Sequence, residues 1–114
     1  MPNWPFAVII AKMATDERRH DERFPFIADV VLDGSRRCAI SDISEGGIYI
    51  SAIQAFEEGA IMDVTIPFRG EEVKVKGQVR HSQQGIGVGI MFVDLDDAQK
   101  KKISEMVEAA RGTP

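Results

Sequence analysis

The stretch Glu71-Glu72-Val73-Lys74-Val75-Lys76-Gly77-Gln78-Val79-Arg80 alternates apolar and polar residues, and that alternation constrains the fold most. Val73, Val75 and Val79 fall on one side; Lys74, Lys76, Gln78 and Arg80 fall on the other. A period of two marks a strand with one face buried. Shorter runs repeat the pattern. Phe26, Ala28, Val30 and Leu32 share a face of 24–32, and Met62, Val64, Ile66 and Phe68 alternate with Asp63, Thr65 and Pro67. In 86–93, Val88, Ile90 and Phe92 fall inward. Arg36 to Ile43 and the run opening at Ile48-Tyr49-Ile50 supply two more strands. Asp33-Gly34, Gly46-Gly47, Gly59 and Arg69-Gly70 punctuate them as tight turns. Gly77 interrupts the apolar face of its own run, which predicts a bend or bulge where a barrel closes. Gly87 and Gly89 share the outward face of the sixth run and predict a smooth patch open to a chain segment or a flat ligand.

After the last strand the period changes. Asp96-Asp97 places acidic groups at the positive end of a helix dipole. Ile103, Met106, Val107 and Ala110 then follow i, i+3, i+4, i+7 as one apolar stripe, and Gly112 stops the helix. Six short strands and one terminal helix predict an all-β fold with one C-terminal helix, a small six-stranded antiparallel β-barrel. The barrel and helix occupy 16–114. Residues 1–15 read as an N-terminal arm or strand, because Trp4, Phe6, Val8 and Ile10 align when extended while Ala7, Ile9 and Ala11 make the other face apolar too. Such a segment packs on the barrel or serves as a homodimer contact.

Length and charge bound the function. At 114 residues the chain is one domain with one core. A net charge of −4, with one tryptophan and one tyrosine, argues against a nucleic-acid partner. A single cysteine, Cys38, excludes an intrachain disulfide and reads as a small buried hydrophobe. The apolar run from Phe6 to Ala11 is too short to cross a bilayer, and no basic residue precedes it as in a signal peptide. The expected compartment is the cytoplasm, with no membrane insertion.

Two short motifs stand out against the acidic background. Arg19 and Arg23 lie four residues apart, just ahead of the first strand. On a helical turn they would be about 6 Å apart; on an extended segment, about 13 Å apart on one face. Either spacing grips two parts of one anionic ligand. A guanidinium fork matches a phosphate and equally the O6/N7 edge of guanine. The second motif is Asp42-Ile43-Ser44-Glu45-Gly46-Gly47. Ionised Asp42 only accepts hydrogen bonds, so it suits guanine's N–H edge; Ser44 can donate or accept, and a glycine admits close backbone approach. Taken alone, the Thr15–Glu22 charge run reads equally as a solvated turn whose arginines pair with neighbouring acids.

Together the motifs resemble those of the PilZ domain family, bacterial receptors for the second messenger cyclic di-GMP. The family pattern is Arg-x-x-x-Arg, then (Asp/Asn)-x-Ser-x-x-Gly some twenty residues on. Arg19 and Arg23 match the first part, and Asp42, Ser44 and Gly47 the second. The resemblance spans roughly 17–110 and includes Gly87-Val88-Gly89-Ile90-Met91-Phe92 and the terminal helix. It implies the barrel independently. It also implies that Arg19 and Arg23 take guanine acceptor edges and phosphates, that Asp42 and Ser44 bind guanine from the barrel surface, and that Gly47 keeps that surface open. Arg18, just before the motif, either holds one member of an intercalated ligand pair, as in relatives with an arginine there, or pairs with a nearby acid. His20-Asp21-Glu22 departs from many relatives by placing two acids between the motif arginines, which lowers affinity without removing a donor. The implied function is a nucleotide-binding receptor that changes conformation and signals to an unidentified protein partner. The alternative within the family is a ligand-independent interaction adaptor.

An enzyme reading finds little support. There is no Gly-x-Ser-x-Gly elbow, and His20 and His81 lie far apart without a paired acid. Two histidines and one cysteine make no zinc pattern, so no metal and no cofactor are expected.

Overall fold

The computed structural model describes residues 22–52 and 55–112. Arg18, Arg19, His20 and the expected arm at 1–15 lie outside the described residues. Six strands appear in order: β1 (Phe24–Leu32), β2 (Arg36–Ser44), β3 (Gly47–Ser51), β4 (Ile61–Phe68), β5 (Glu71–Gln83) and β6 (Gly87–Val93). One helix follows, α1 (Asp97–Arg111). The strands close into an antiparallel barrel in the order β1-β2-β3-β6-β5-β4.

Each alternating run buries the face expected of it. Val30, Leu32, Val64, Ile66, Val75, Val79, Val88 and Ile90 fill the interior. The β4–β5 turn has the geometry that a two-residue hairpin requires: Arg69 (φ 53°) and Gly70 (φ 81°) are both left-handed. The β1–β2 connection is one residue longer, with Leu32 paired to Arg36, and it too has left-handed residues, Asp33 (φ 50°) and Gly34 (φ 77°).

Gly77 is not a bulge. It pairs in register with Met62 and Phe92. A β-carbon there would lie 2.5 Å from Cγ2 of Ile90 and 3.0 Å from Cγ2 of Val64, so the glycine makes room for core side chains. The bulge of β5 comes slightly later, between Val79 and His81. The patch expected at Gly87 is likewise filled by the chain itself. A β-carbon at 87 would lie 2.4 Å from Cε2 of Tyr49, so the tyrosine ring rests on the bare backbone.

The β1–β4 junction is the shortest. Its ladder pairs only Val31 with Thr65 and Leu32 with Val64 among the described residues. Asp33 extends it past the end of β1: its N–H donates to the Asp63 carbonyl, and its Oδ1 accepts from the Asp63 N–H. Helix α1 packs on β1, β5 and β2. Ile103, Met106 and Val107 are buried and Ala110 is partly so, which is the stripe the sequence predicts. Asp96 caps the helix in a capping box: Asp96 Oδ1 accepts from the Gln99 N–H and Gln99 Oε1 from the Asp96 N–H, each at 2.8 Å. Gly112 closes the other end in the left-handed region, φ 70°.

Candidate functional site

Arg23 directly precedes β1, whose first residues pair with the end of β2, Phe24 with Ile43 and Pro25 with Asp42. That register carries Arg23 to the carboxylate of the second motif. Nε of Arg23 donates to Oδ1 of Asp42 at 2.5 Å, across 19 positions of sequence. Both side chains are about one-third exposed, 32 % and 30 %. The pair therefore sits on the outer wall, open to solvent. Its second carboxylate oxygen, Oδ2, accepts from the Ser41 hydroxyl at 3.2 Å, and that hydroxyl also lies 3.3 Å from the Tyr49 carbonyl.

Asp42 faces Tyr49 across β3 because β2 carries an irregularity between Ile40 and Asp42. Burial pushes the Tyr49 phenol above its usual range. The Asp42 charge pushes it further, against the opposing effect of the Arg23 guanidinium. The phenol thus belongs to the same electrostatic cluster. The strand ladders extend this row outward. Tyr49 pairs with Gly89, and Gly89 with His81, on one face of the wall. Neither Tyr49 nor Ser41 is part of a sequence motif. Their signal is the period of two, which puts Tyr49 on the outward face two residues after Gly47.

The remaining motif residues do different work. Ser44 is 1 % exposed. Its hydroxyl oxygen accepts from the Gly46 and Gly47 N–H groups, each at 3.2 Å, and its proton is directed at the Gly47 carbonyl at 3.3 Å. The structure places Ser44 inside the β2–β3 turn, where it satisfies backbone donors. Gly47 is likewise a packing requirement. A β-carbon there would lie 2.1 Å from the Ile90 carbonyl oxygen, so only glycine lets β3 approach β6 in this register. Ser44 and Gly47 shape the turn, and the turn places Asp42.

Among the described residues no group of three or more His, Cys, Asp or Glu could hold a metal ion, and no helix is long and apolar enough to cross a membrane. A cavity of about 420 Å³ opens at the far end of β1, lined by residues that include Leu32, Arg36, Phe56 and Met62. The Arg36 guanidinium lies over the Phe56 ring, 4.8 Å from its centroid. Among the described residues, no motif residue lines this cavity.

The barrel order, the terminal helix and the two motifs meeting at Arg23 and Asp42 define a class of β-barrel binding domains. A family model for the PilZ domain matches residues 17–109, and the chain belongs to that family, a family of cyclic di-GMP receptors. Among the solved structures that resemble it are three with related folds. The PilZ domain of CeSA from a cellulose-synthesizing bacterium has a TM-score of 0.65 and 19 % identity, over 80 % of this chain and 99 % of that one. The inhibitor of motility MotI/DgrA of Bacillus subtilis has a TM-score of 0.65 and 14 % identity, over 81 % of this chain and 50 % of that one. The Borreliella burgdorferi PlzA protein, solved in complex with c-di-GMP, has a TM-score of 0.52 and 16 % identity, over 94 % of this chain and 50 % of that one. This chain thus spans about half the length of the last two. At these identities the likeness is one of fold. A search of curated proteins finds no match.

Proposed function

We propose that this chain is a cyclic di-GMP receptor domain that changes conformation on binding and presents the changed surface to a protein partner. The observation that carries this reading is the Arg23–Asp42 contact, which brings the two motifs together on one open face. In the free chain the two charges satisfy each other. An exposed ion pair contributes only about 0–1 kcal/mol, so a competing ligand separates it at small cost. A guanine dinucleotide offers what both halves lack. Its acceptor edge or phosphate takes the guanidinium, and its N–H edge donates to the carboxylate. The family membership and the c-di-GMP complex of PlzA support the same ligand class. Arg19 contributes a second guanidinium from the preceding segment, and Arg18 a third that accommodates an intercalated pair.

Calorimetry with cyclic di-GMP tests the reading. The wild-type chain binds, with a stoichiometry of two if the ligand enters as a pair. Arg23→Ala weakens binding by about 2–5 kcal/mol, the cost of losing one partner of a desolvated charged contact. A wild-type chain that gave no heat at saturating nucleotide would leave the ligand-independent adaptor. The conformational step has its own readout. Because the half-sites lie on separate segments, a ligand held by Arg19 and Asp42 together bridges the segment before β1 to the barrel wall, a switch of a known kind. Amide exchange across 14–24 slows on adding ligand; unchanged exchange would rule the switch out.

A further inference from the structure

Tyr49 lies beside the Arg23–Asp42 pair and belongs to neither motif. Its ring is seated where position 87 has no β-carbon; one there would lie 2.4 Å from Cε2 and 2.8 Å from Cζ of the ring. The floor beneath it is backbone, so the ring is held against a surface that does not yield. Asp42, Tyr49, Gly89 and His81 form one row across β2, β3, β6 and β5. Between Tyr49 and His81 lies Gly89, which is buried. A flat group held by Asp42 meets the phenol ring next, because Tyr49 is the direct partner of Asp42 across the β2–β3 seam.

We infer that Tyr49 is a further ligand-contacting residue, whose ring stacks against the guanine that Asp42 holds by its N–H edge. This rests on the cyclic di-GMP reading and adds what that reading lacks. Arg23 and Asp42 recognise edges and charge. Neither grips the face of a base, so a phosphate alone could satisfy the arginine. A tyrosine fixed on backbone supplies a π-face at little conformational cost, because the side chain has only two torsions and packing already restrains it. It makes the site select for a purine ring and not merely for an anion. The phenol remains protonated at neutral pH, since burial and the neighbouring carboxylate both oppose the phenolate, so its hydroxyl stays a donor.

The test uses the full chain, cyclic di-GMP, and the variants Tyr49→Ala and Tyr49→Phe. Calorimetry should show Tyr49→Ala binding about 5- to 150-fold more weakly, the range for losing one base–aromatic stack. Tyr49→Phe keeps the ring and should stay within about twofold of wild type. The second readout needs no variant. In wild type saturated with nucleotide, the ring protons of the sole tyrosine should show cross-relaxation to guanine H8, which a merely structural tyrosine would not. No binding by wild type would overturn the receptor reading and this inference with it. Wild-type binding with no ring-to-base cross-relaxation, or with Tyr49→Ala binding as tightly, would overturn this inference alone. Should Tyr49→Ala not fold, the phenylalanine variant and the cross-relaxation still decide. A tenfold loss in Tyr49→Phe would assign the contact to the hydroxyl and refute stacking.

Discussion

Tyr49 is the only tyrosine of the chain, so its ionisation can be followed without interference. Burial is the largest cause of its raised pKa and the Asp42 charge the next, while Arg23 works in the opposite direction. A raised folded-state value means that the folded chain holds the phenolic proton longer than the unfolded chain does. The resulting stabilisation is complete below the ordinary value of about 10 and is lost as pH rises through the folded-state value. Ultraviolet titration should show Asp42→Asn lowering the tyrosine pKa and Arg23→Ala raising it. If neither variant moved it, the phenol would not share the electrostatics of the pair. At this scale the charges that meet at Arg23 and Asp42 stood out in the sequence, because Arg and Asp announce their chemistry wherever they stand. The structural work of Ser44 and Gly47 did not. The Ser44 hydroxyl is committed by a turn geometry that its residue type does not reveal. The need for glycine at 47 is set by the Ile90 carbonyl on another strand.

At the scale of elements, periodicity transmitted well. The run from Phe24 to Leu32 became β1 with the expected face inward, and the i, i+3, i+4, i+7 stripe became the buried side of α1. Irregularities transmitted poorly. Gly77 suggested a bulge, yet strand partners force the glycine while the bulge arises two residues on, at a position with no compositional mark. Helix ends were legible in outline: Asp96 and Gly112 stand where the caps form. The reciprocal capping by Gln99 follows from the spacing of a capping box. Asp96→Ala removes the oxygen that accepts from the Gln99 N–H and should lower stability by about 1 kcal/mol. Urea unfolding should show an earlier midpoint with an unchanged slope. No change in midpoint would mean that packing alone holds the first turn.

For the whole molecule, binding and folding are linked. A ligand that binds only the folded barrel stabilises it by about 2.7 kcal/mol when free ligand stands a hundredfold above Kd. For a domain of this size that is a rise in Tm of roughly 10 °C. Cyclic di-GMP should raise the melting temperature of the wild-type chain, and the rise should shrink in Arg23→Ala at the same ligand concentration. A melting temperature indifferent to the nucleotide would refute the linkage. The closed topology itself was legible because six alternating runs with tight turns leave a small sheet little choice but to curl and hide its edges. Which of the six junctions would be shortest was not, since that depends on strands distant in sequence.

The short ladder between β1 and β4 has a mechanical consequence. Beyond Val31 and Leu32, among the described residues, the leading half of β1 has ladder partners only in β2; α1 packs on it and the Phe26 ring meets that of Phe68 on β4. It is a stave with the fewest rungs on its β4 side, and the end that leads into Arg23 is held by β2 and α1. Of the six seams of the cask, this is the one with least to part should a guest take Arg23 from Asp42.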